Sequence, residues 1–232
     1  MHLFYQPDII QGSHFLNEEE SRHCVKVMRH KIGDIIKVID GKGGSFTAQI
    51  TKADYRKCEF EIIEQSKSPE KRFNIHIGIA PTKNMDRLEW FVEKCVEIGI
   101  DEISFIQCQQ SERKHLKLDR LERKAISAMK QSTNNQFPKL YDLMSFQQFI
   151  ENNSNPDQKF IAYVDELIPE HLYNLAERNQ RYLVLIGPEG DFSKEEISMA
   201  KTNDFVPVSL GKSRLRTETA GIVACHILNL IN

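Results

Sequence analysis

The sequence predicts an α/β protein: a mostly parallel sheet covered by helices, preceded by a small β-barrel unit. Three observations carry that prediction. Residues 35–39, 46–50 and 57–63 are rich in β-branched and apolar side chains and are interrupted by only one helix candidate before them. Beyond about residue 72 the pattern changes to alternating strand and helix, which implies parallel strands with helical crossovers. Near the carboxyl end, two glycine-bearing segments each read as strand, tight loop and helix start.

In chain order, residues 17–29 form the first helix candidate, and Asp40-Gly41-Lys42-Gly43-Gly44 reads as a hairpin turn between the first two strands. The polar, proline-bearing stretch 65–71 reads as a linker. Strands follow at 74–80, 103–108, 159–164, 182–186 and 205–210, and helices at 84–98, 117–134, 170–177, 193–201 and 217–231. In the 84–98 helix, Leu88, Phe91, Val92, Cys95 and Val96 share one face, and Gly99 closes it.

Composition limits the function classes. The chain has 232 residues, 40% of them hydrophobic, and a net charge of -2, so any nucleic-acid contact must come from a local basic patch. Its 5 cysteines are scattered without a Cys-x-x-Cys pair, which predicts reduced thiols in a cytoplasmic protein and no cysteine zinc site. The histidines lack metal-ligand spacing, so no metal is expected. The first residues carry no signal-peptide pattern, and no apolar run is long enough to span a bilayer. Walker A, Gly-x-Ser-x-Gly, His-Glu-x-x-His and Gly-x-Gly-x-x-Gly signatures are all missing, which weighs against P-loop and dinucleotide enzymes.

The two carboxyl-terminal loops hold the chemistry. Gly187-Pro188-Glu189-Gly190-Asp191 follows an apolar strand, and Ser193 with Glu196 spells a capping box for the next helix. Alone, this is either a well-made turn or a ligand loop. Glu189 and Asp191 would repel a phosphate and better suit a ribose hydroxyl, an amine or a sulfonium. The second loop, Leu210-Gly211-Lys212-Ser213-Arg214-Leu215-Arg216, feeds an apolar helix and carries two arginines with Glu218 just beyond. In an open α/β sheet, loops at the carboxyl ends of strands are where ligands sit. Arg22, Lys26 and Arg29 at helical spacing read as either a solvated face or a phosphate-contacting surface.

The ordered set of motifs resembles the bacterial 16S ribosomal RNA uridine-N3 methyltransferase family, within the SPOUT class of knotted S-adenosylmethionine enzymes. It comprises residues 23–29 with Gly33-Asp34, then Lys83, Arg87, Glu89, Glu93, Lys94, Glu97 and Gly99. It continues with Ser111-Glu112-Arg113, Gln131-Ser132, Pro138, Gly187-Pro188-Glu189-Gly190, Leu210-Gly211 and Leu215-Arg216-Thr217-Glu218-Thr219-Ala220. Asn134 and Asn135 stand near where many relatives carry an arginine, and Asp191 where many carry glycine.

The resemblance implies a PUA-like β-barrel RNA-binding domain over residues 1–70 and a trefoil-knotted α/β methyltransferase domain over 72–232. It further implies a homodimer whose partner is 16S rRNA within the small ribosomal subunit. Expected contacts to S-adenosylmethionine are Gly187, Pro188, Glu189, Gly190, Leu210, Gly211, Ser213, Leu215, Arg216 and Thr219, with Tyr163 to Glu166 adding to the adenosine pocket. Expected RNA contacts are Arg22, Lys26, Arg29, Lys83, Arg87 and Arg113. Arg216 is the expected charge-stabilising catalytic group. Glu218 is expected to be either the base, the orienter of Arg216 through a buried ion pair, or a helix-capping residue.

Overall fold

The computed structural model describes residues 3–153, 155–163 and 170–232. The chain divides into two units, Met1–Glu70 with Ile126–Phe137, and Lys71–Ala125 with Pro138–Asn232.

Alternating apolar residues build the sheet of the first unit. Its strands β1 (Leu3–Tyr5), β2 (Ile35–Ile39), β3 (Gly44–Lys52) and β4 (Glu59–Lys67) lie side by side in that order. β1 runs parallel to β2, and the other pairs are antiparallel. Ile36, Val38, Phe46, Ala48, Ile50 and Phe60 enter one buried cluster with Phe4, Leu16 and Cys24. Asp40 closes the expected hairpin by accepting hydrogen bonds from Lys42 N at 2.7 Å and Gly44 N at 2.8 Å. β4 continues through Lys67, into the stretch read as linker, because its outer residues need only the ladder to β3 and not an apolar side chain.

The helix expected over 17–29 is not continuous. α1 spans only Glu18–Arg22, capped by Asn17, and a π-helical turn follows at His23–Val27. Met28 N donates to His23 O at 2.9 Å, and Arg29 has φ 60. The wider turn carries one more residue per hydrogen bond. It leaves Cys24 in the core and Lys26 and Val27 outside. Arg22, Lys26 and Arg29 are all exposed, but they do not form one regular helical stripe.

Residues 126–137 belong to this unit, whereas the sequence reading assigned them to the second domain. The cause is local bonding: Lys130 Nζ lies 2.5 Å from Glu20 Oε1, and Phe137 N donates to Gly41 O at 2.8 Å. Asn135 Nδ2 donates to Gly43 O at 2.8 Å, and Gly43 N donates to Asn135 O at 2.9 Å. Asn135 therefore stitches the segment to the β2–β3 hairpin.

The second unit alternates strand and helix. In order these are β5 (Asn74–Ile79), α2 (Met85–Ile98), β6 (Glu102–Gln107), α3 (Leu118–Gln131, within this unit as far as Ala125) and β7 (Lys139–Ser145). They continue with α4 (Phe146–Asn152), β8 (Gln158–Ala162), α5 (Leu172–Leu175), β9 (Arg181–Ile186), α6 (Lys194–Thr202), β10 (Val206–Val208) and α7 (Thr217–Leu230). The sheet order is β10-β8-β9-β5-β6-β7, and every adjacent pair is parallel.

The apolar face foreseen for α2 is buried, and Gly99 ends the helix with φ 109. β7 was not foreseen. It is an edge strand with little burial, so its sequence lacks a strong apolar signature. Leu183 and Leu185 pack with Phe146, Phe149 and Ala200 on one face of the sheet. α2 and α7 cover the other face so closely that a Cβ on Gly221 would lie 2.4 Å from Phe91 Cε2. Val164, Asp165 and Glu166 lie outside the described residues.

Candidate active site

A cleft of about 950 Å3 opens at the carboxyl ends of β8, β9 and β10. That is the place where parallel α/β sheets offer loop backbone and helix starts to a ligand. Both glycine-bearing loops form its wall, together with Ala162, Tyr163, His171, Val208 and Ser209.

Hydrogen bonds tie the two loops together. Thr217 Oγ1, in the first turn of α7, donates to Gly187 O at 3.0 Å, and Arg214 Nη2 donates to Glu189 O at 3.2 Å. Glu189 Oε1 accepts from Lys83 N at 3.2 Å, which fixes the loop after β9 to the loop after β5. Arg113 Nε and Nη2 donate to Thr82 O at 3.0 Å and Lys83 O at 2.5 Å. Lys83 Nζ pairs with Glu112 at 2.8 Å, and Glu112 holds its ammonium pKa above the ordinary value. Ser193 and Glu196 form the foreseen capping box of α6. The same Glu196 accepts from Gln109 N at 2.8 Å, so one buried carboxylate fastens the end of β6 as well.

Among the residues expected to touch the methyl donor, Gly187, Pro188, Glu189, Leu210, Gly211, Ser213, Leu215 and Arg216 line the cleft. Gly190 and Thr219 do not line it; Thr217 and Ala220 do. Gly190 answers a packing demand instead, since a Cβ there would lie 3.0 Å from Gln110 Cβ. Asp191 lines the wall with φ 67, a left-handed backbone that aspartate tolerates better than most residues. His171, set aside as lacking a metal partner, lines the cleft and caps α5 by accepting from Tyr173 N at 3.2 Å. Its position after β8 was its only signal.

Arg216 is the N-cap residue of α7 and is exposed in the cleft wall. Its guanidinium has no hydrogen-bond or ion-pair partner among the described residues. Glu218 does not pair with it. It is 4% exposed, outside the cleft lining, and its Oε1 lies 3.8 Å from Arg87 Nε on α2. Its Oε2 is buried with no hydrogen-bond partner among the described residues. The expected Arg216–Glu218 pair is thus replaced by Arg87–Glu218, because the first turn of α7 rotates residue 218 away from the cleft toward α2. Lys83, Arg87 and Arg113 also lie outside the lining, and Arg113 spends its donors on loop carbonyls. No group of three His, Cys, Asp or Glu able to hold a metal ion occurs among the described residues. Likewise, none of their helices is long and apolar enough to cross a membrane.

The model of the RNA methyltransferase domain matches residues 69–229, and that of the RNA methyltransferase PUA domain matches residues 16–63. This chain belongs to the RNA methyltransferase family. Within the family, the ribosomal RNA small subunit methyltransferase E of Buchnera aphidicola is 30% identical, over 97% of this chain and 91% of its own length. The crystal structure of a probable rRNA-methyltransferase from Porphyromonas gingivalis is similar with a TM-score of 0.92 and 44% identity, covering 100% of this chain and 98% of that one. The ribosomal RNA small subunit methyltransferase E of Neisseria gonorrhoeae, solved bound to S-adenosyl methionine, gives a TM-score of 0.85 at 27% identity. That match covers 97% of this chain and 95% of that one.

Proposed function

We propose that this methyltransferase moves a methyl group from S-adenosylmethionine to N3 of a uridine in the decoding region of 16S rRNA, within the small ribosomal subunit. The observation that carries the reading is a cleft at parallel strand ends, walled by both glycine loops, with Arg216 unengaged at its edge. It occurs in a family member whose relatives act on small-subunit rRNA and bind this donor.

The cleft fits the donor. About 950 Å3 lies at the upper end of the roughly 300–1,000 Å3 range of small-molecule pockets. Gly211 has φ 135, and a Cβ there would meet nothing within 4 Å, so this bare backbone borders open space. Gly187, Leu210, Gly211, Leu215 and Arg216 would hold the donor, with Asp191 suited to its positive groups. S-adenosylmethionine supplies an electrophilic methyl on a sulfonium sulfur.

The residues of this chain must do the rest. Uracil N3 is a poor nucleophile until its proton leaves, and in a duplex it is hidden by pairing, so the base must be presented unpaired. The guanidinium of Arg216 is always charged and offers a rigid fork of donors, suited to the negative charge that spreads onto the uracil oxygens. Glu218, buried outside the cleft with its Oε1 beside Arg87 Nε, is read as a positioning residue that holds Arg87 and the first turn of α7 next to Arg216. The N-terminal unit is read as a PUA-like barrel that grips RNA. The path joining the two loops is read as a trefoil knot, in keeping with Thr217 and Arg214 bonding back to the β9–α6 loop. Trp90 on α2 and Leu230 on α7 are exposed, which supports a homodimer that covers these helices. A cytoplasmic location is part of the same reading.

The test is transfer of labelled methyl to small subunits lacking the modification, beside naked 16S rRNA, with mass mapping of the product. Label on one uracil N3 is expected. Label elsewhere would keep a methyltransferase and discard the target.

A further inference from the structure

Three cations of the N-terminal unit sit on aromatic rings and have no carboxylate partner among the described residues. Lys26 Nζ lies 3.9 Å from the centroid of the Tyr55 ring, and the Arg56 guanidinium carbon lies 5.4 Å from the same centroid. Arg56 Nε also donates to Tyr55 Oη at 3.1 Å. Lys57 Nζ lies 4.3 Å from the centroid of the Phe15 ring. The nearby acids are engaged elsewhere: Glu18 pairs with Arg22, and Glu59 with Lys52. Asp54 accepts from Arg56 N at 2.8 Å, which shapes the turn and holds its carboxyl below the usual range.

Two cations sharing one ring repel each other, and the ring face only partly offsets that repulsion. An anion lying between them would relieve it. The rings also fix the long side chains in advance, so less conformational freedom is lost when an anion binds. The matched PUA segment, residues 16–63, contains Lys26, Tyr55, Arg56 and Lys57.

We propose that Lys26, Arg56 and Lys57, seated on Tyr55 and Phe15, form a preorganised cradle for the phosphodiester backbone of the RNA substrate. The cradle rests on the RNA methyltransferase reading and adds Tyr55, Arg56 and Lys57 to the residues that serve it. It carries no base readout. It positions the RNA and acts through charge, so its binding is salt-dependent.

The test uses the full-length protein, 16S rRNA and a potassium chloride titration. The Arg56→Ala, Lys57→Ala double variant is expected to weaken RNA binding about tenfold or more at low salt. It should also lower the slope of log affinity against log salt by about 0.7–0.9 for each phosphate no longer neutralised. In the Lys57→Ala background, Arg56→Lys instead of Arg56→Ala should restore part of that slope. Tyr55→Leu removes no charge, and is expected to weaken binding several-fold with a nearly unchanged slope. S-adenosylmethionine affinity should be unaltered in all of them. A folded double variant that binds RNA with the parent's affinity and slope would overturn the cradle. So would a double variant that loses affinity only for anionic phospholipid vesicles. Methyl transfer by the parent protein reports on the activity separately: binding through the cradle without transfer would discard the activity and leave the cradle standing.

Discussion

In the six-stranded sheet every adjacent pair is parallel and helices pack on both faces, so Leu183 and Leu185 are sealed on one side and Ile79 meets α7 on the other. The four-stranded sheet is mostly antiparallel, buries one cluster of side chains, and leaves β4 exposed from Ile63 through Lys67. A sheet covered on both faces can meet a ligand only at its strand ends, where loop backbone and helix starts are available. A sheet with one free flank can offer side chains along its surface. The arginines follow that division. At the strand ends Arg113 and Arg214 donate to loop carbonyls, whereas Arg216 bonds to no described residue. In the smaller unit, charge is displayed on a surface loop.

Substitutions at the strand ends should therefore remove activity without unfolding the chain, and substitutions between the layers should do the reverse. The largest effect is expected from Arg216→Ala: methyl transfer should fall at least about a hundredfold. Its thermal unfolding should be unchanged, because the guanidinium bonds to no described residue. An active, folded variant would end the assignment. Glu218→Gln should also lose turnover more than donor affinity. A variant in which affinity falls and turnover holds would make Glu218 a purely structural partner of Arg87.

Gly211→Ala should weaken S-adenosylmethionine binding roughly tenfold by calorimetry, since φ 135 strains any side chain and the new methyl enters the cleft. Unaltered affinity would place the donor elsewhere. Between the layers, Gly221→Ala should destabilise by about 1–3 kcal/mol in denaturant titration, because Phe91 has no room to yield. Donor affinity in the surviving folded fraction should hold.

The smallest effect concerns His76, buried in β5 with its Nε2 2.8 Å from Ser104 Oγ. Burial pushes its imidazole from 6.5 down to about 4. Between those values the unfolded chain takes up a proton that the folded chain refuses. Its stabilising contribution is therefore full above pH 6.5 and is lost as pH falls toward 4. Relative to His76→Gln, the parent should lose about 1 kcal/mol between pH 7.5 and 5.5. Equal pH dependence in both proteins would show that this histidine is not the cause.

Much of the α/β alternation was legible because buried parallel strands leave apolar runs, and α2 was readable residue by residue from Leu88 to Gly99. Edge elements were not: β7 and the three-residue β1 are held by backbone ladders that demand little of their side chains. The loops at the site were legible as loops, but the duties within them were not. Gly190 looked like a ligand glycine, yet it lies outside the cleft lining and a Cβ there would crowd Gln110. Arg113 looked like an RNA contact, and its donors brace the β5 loop.

By itself, then, the sequence determined the alternation of elements, the capping box of α6, the end of α2 and the two loops that meet in the cleft. Those features depend on neighbours within a few residues, where propensity and period act directly. Only the tertiary structure decided that Glu218 faces Arg87 rather than Arg216, and that residues 126–137 join the first unit. It also decided that Lys26 leaves the helical stripe for the ring of Tyr55. Each of these is a choice of partner between residues distant in sequence or across an irregular turn, and packing geometry rather than local preference selects such partners.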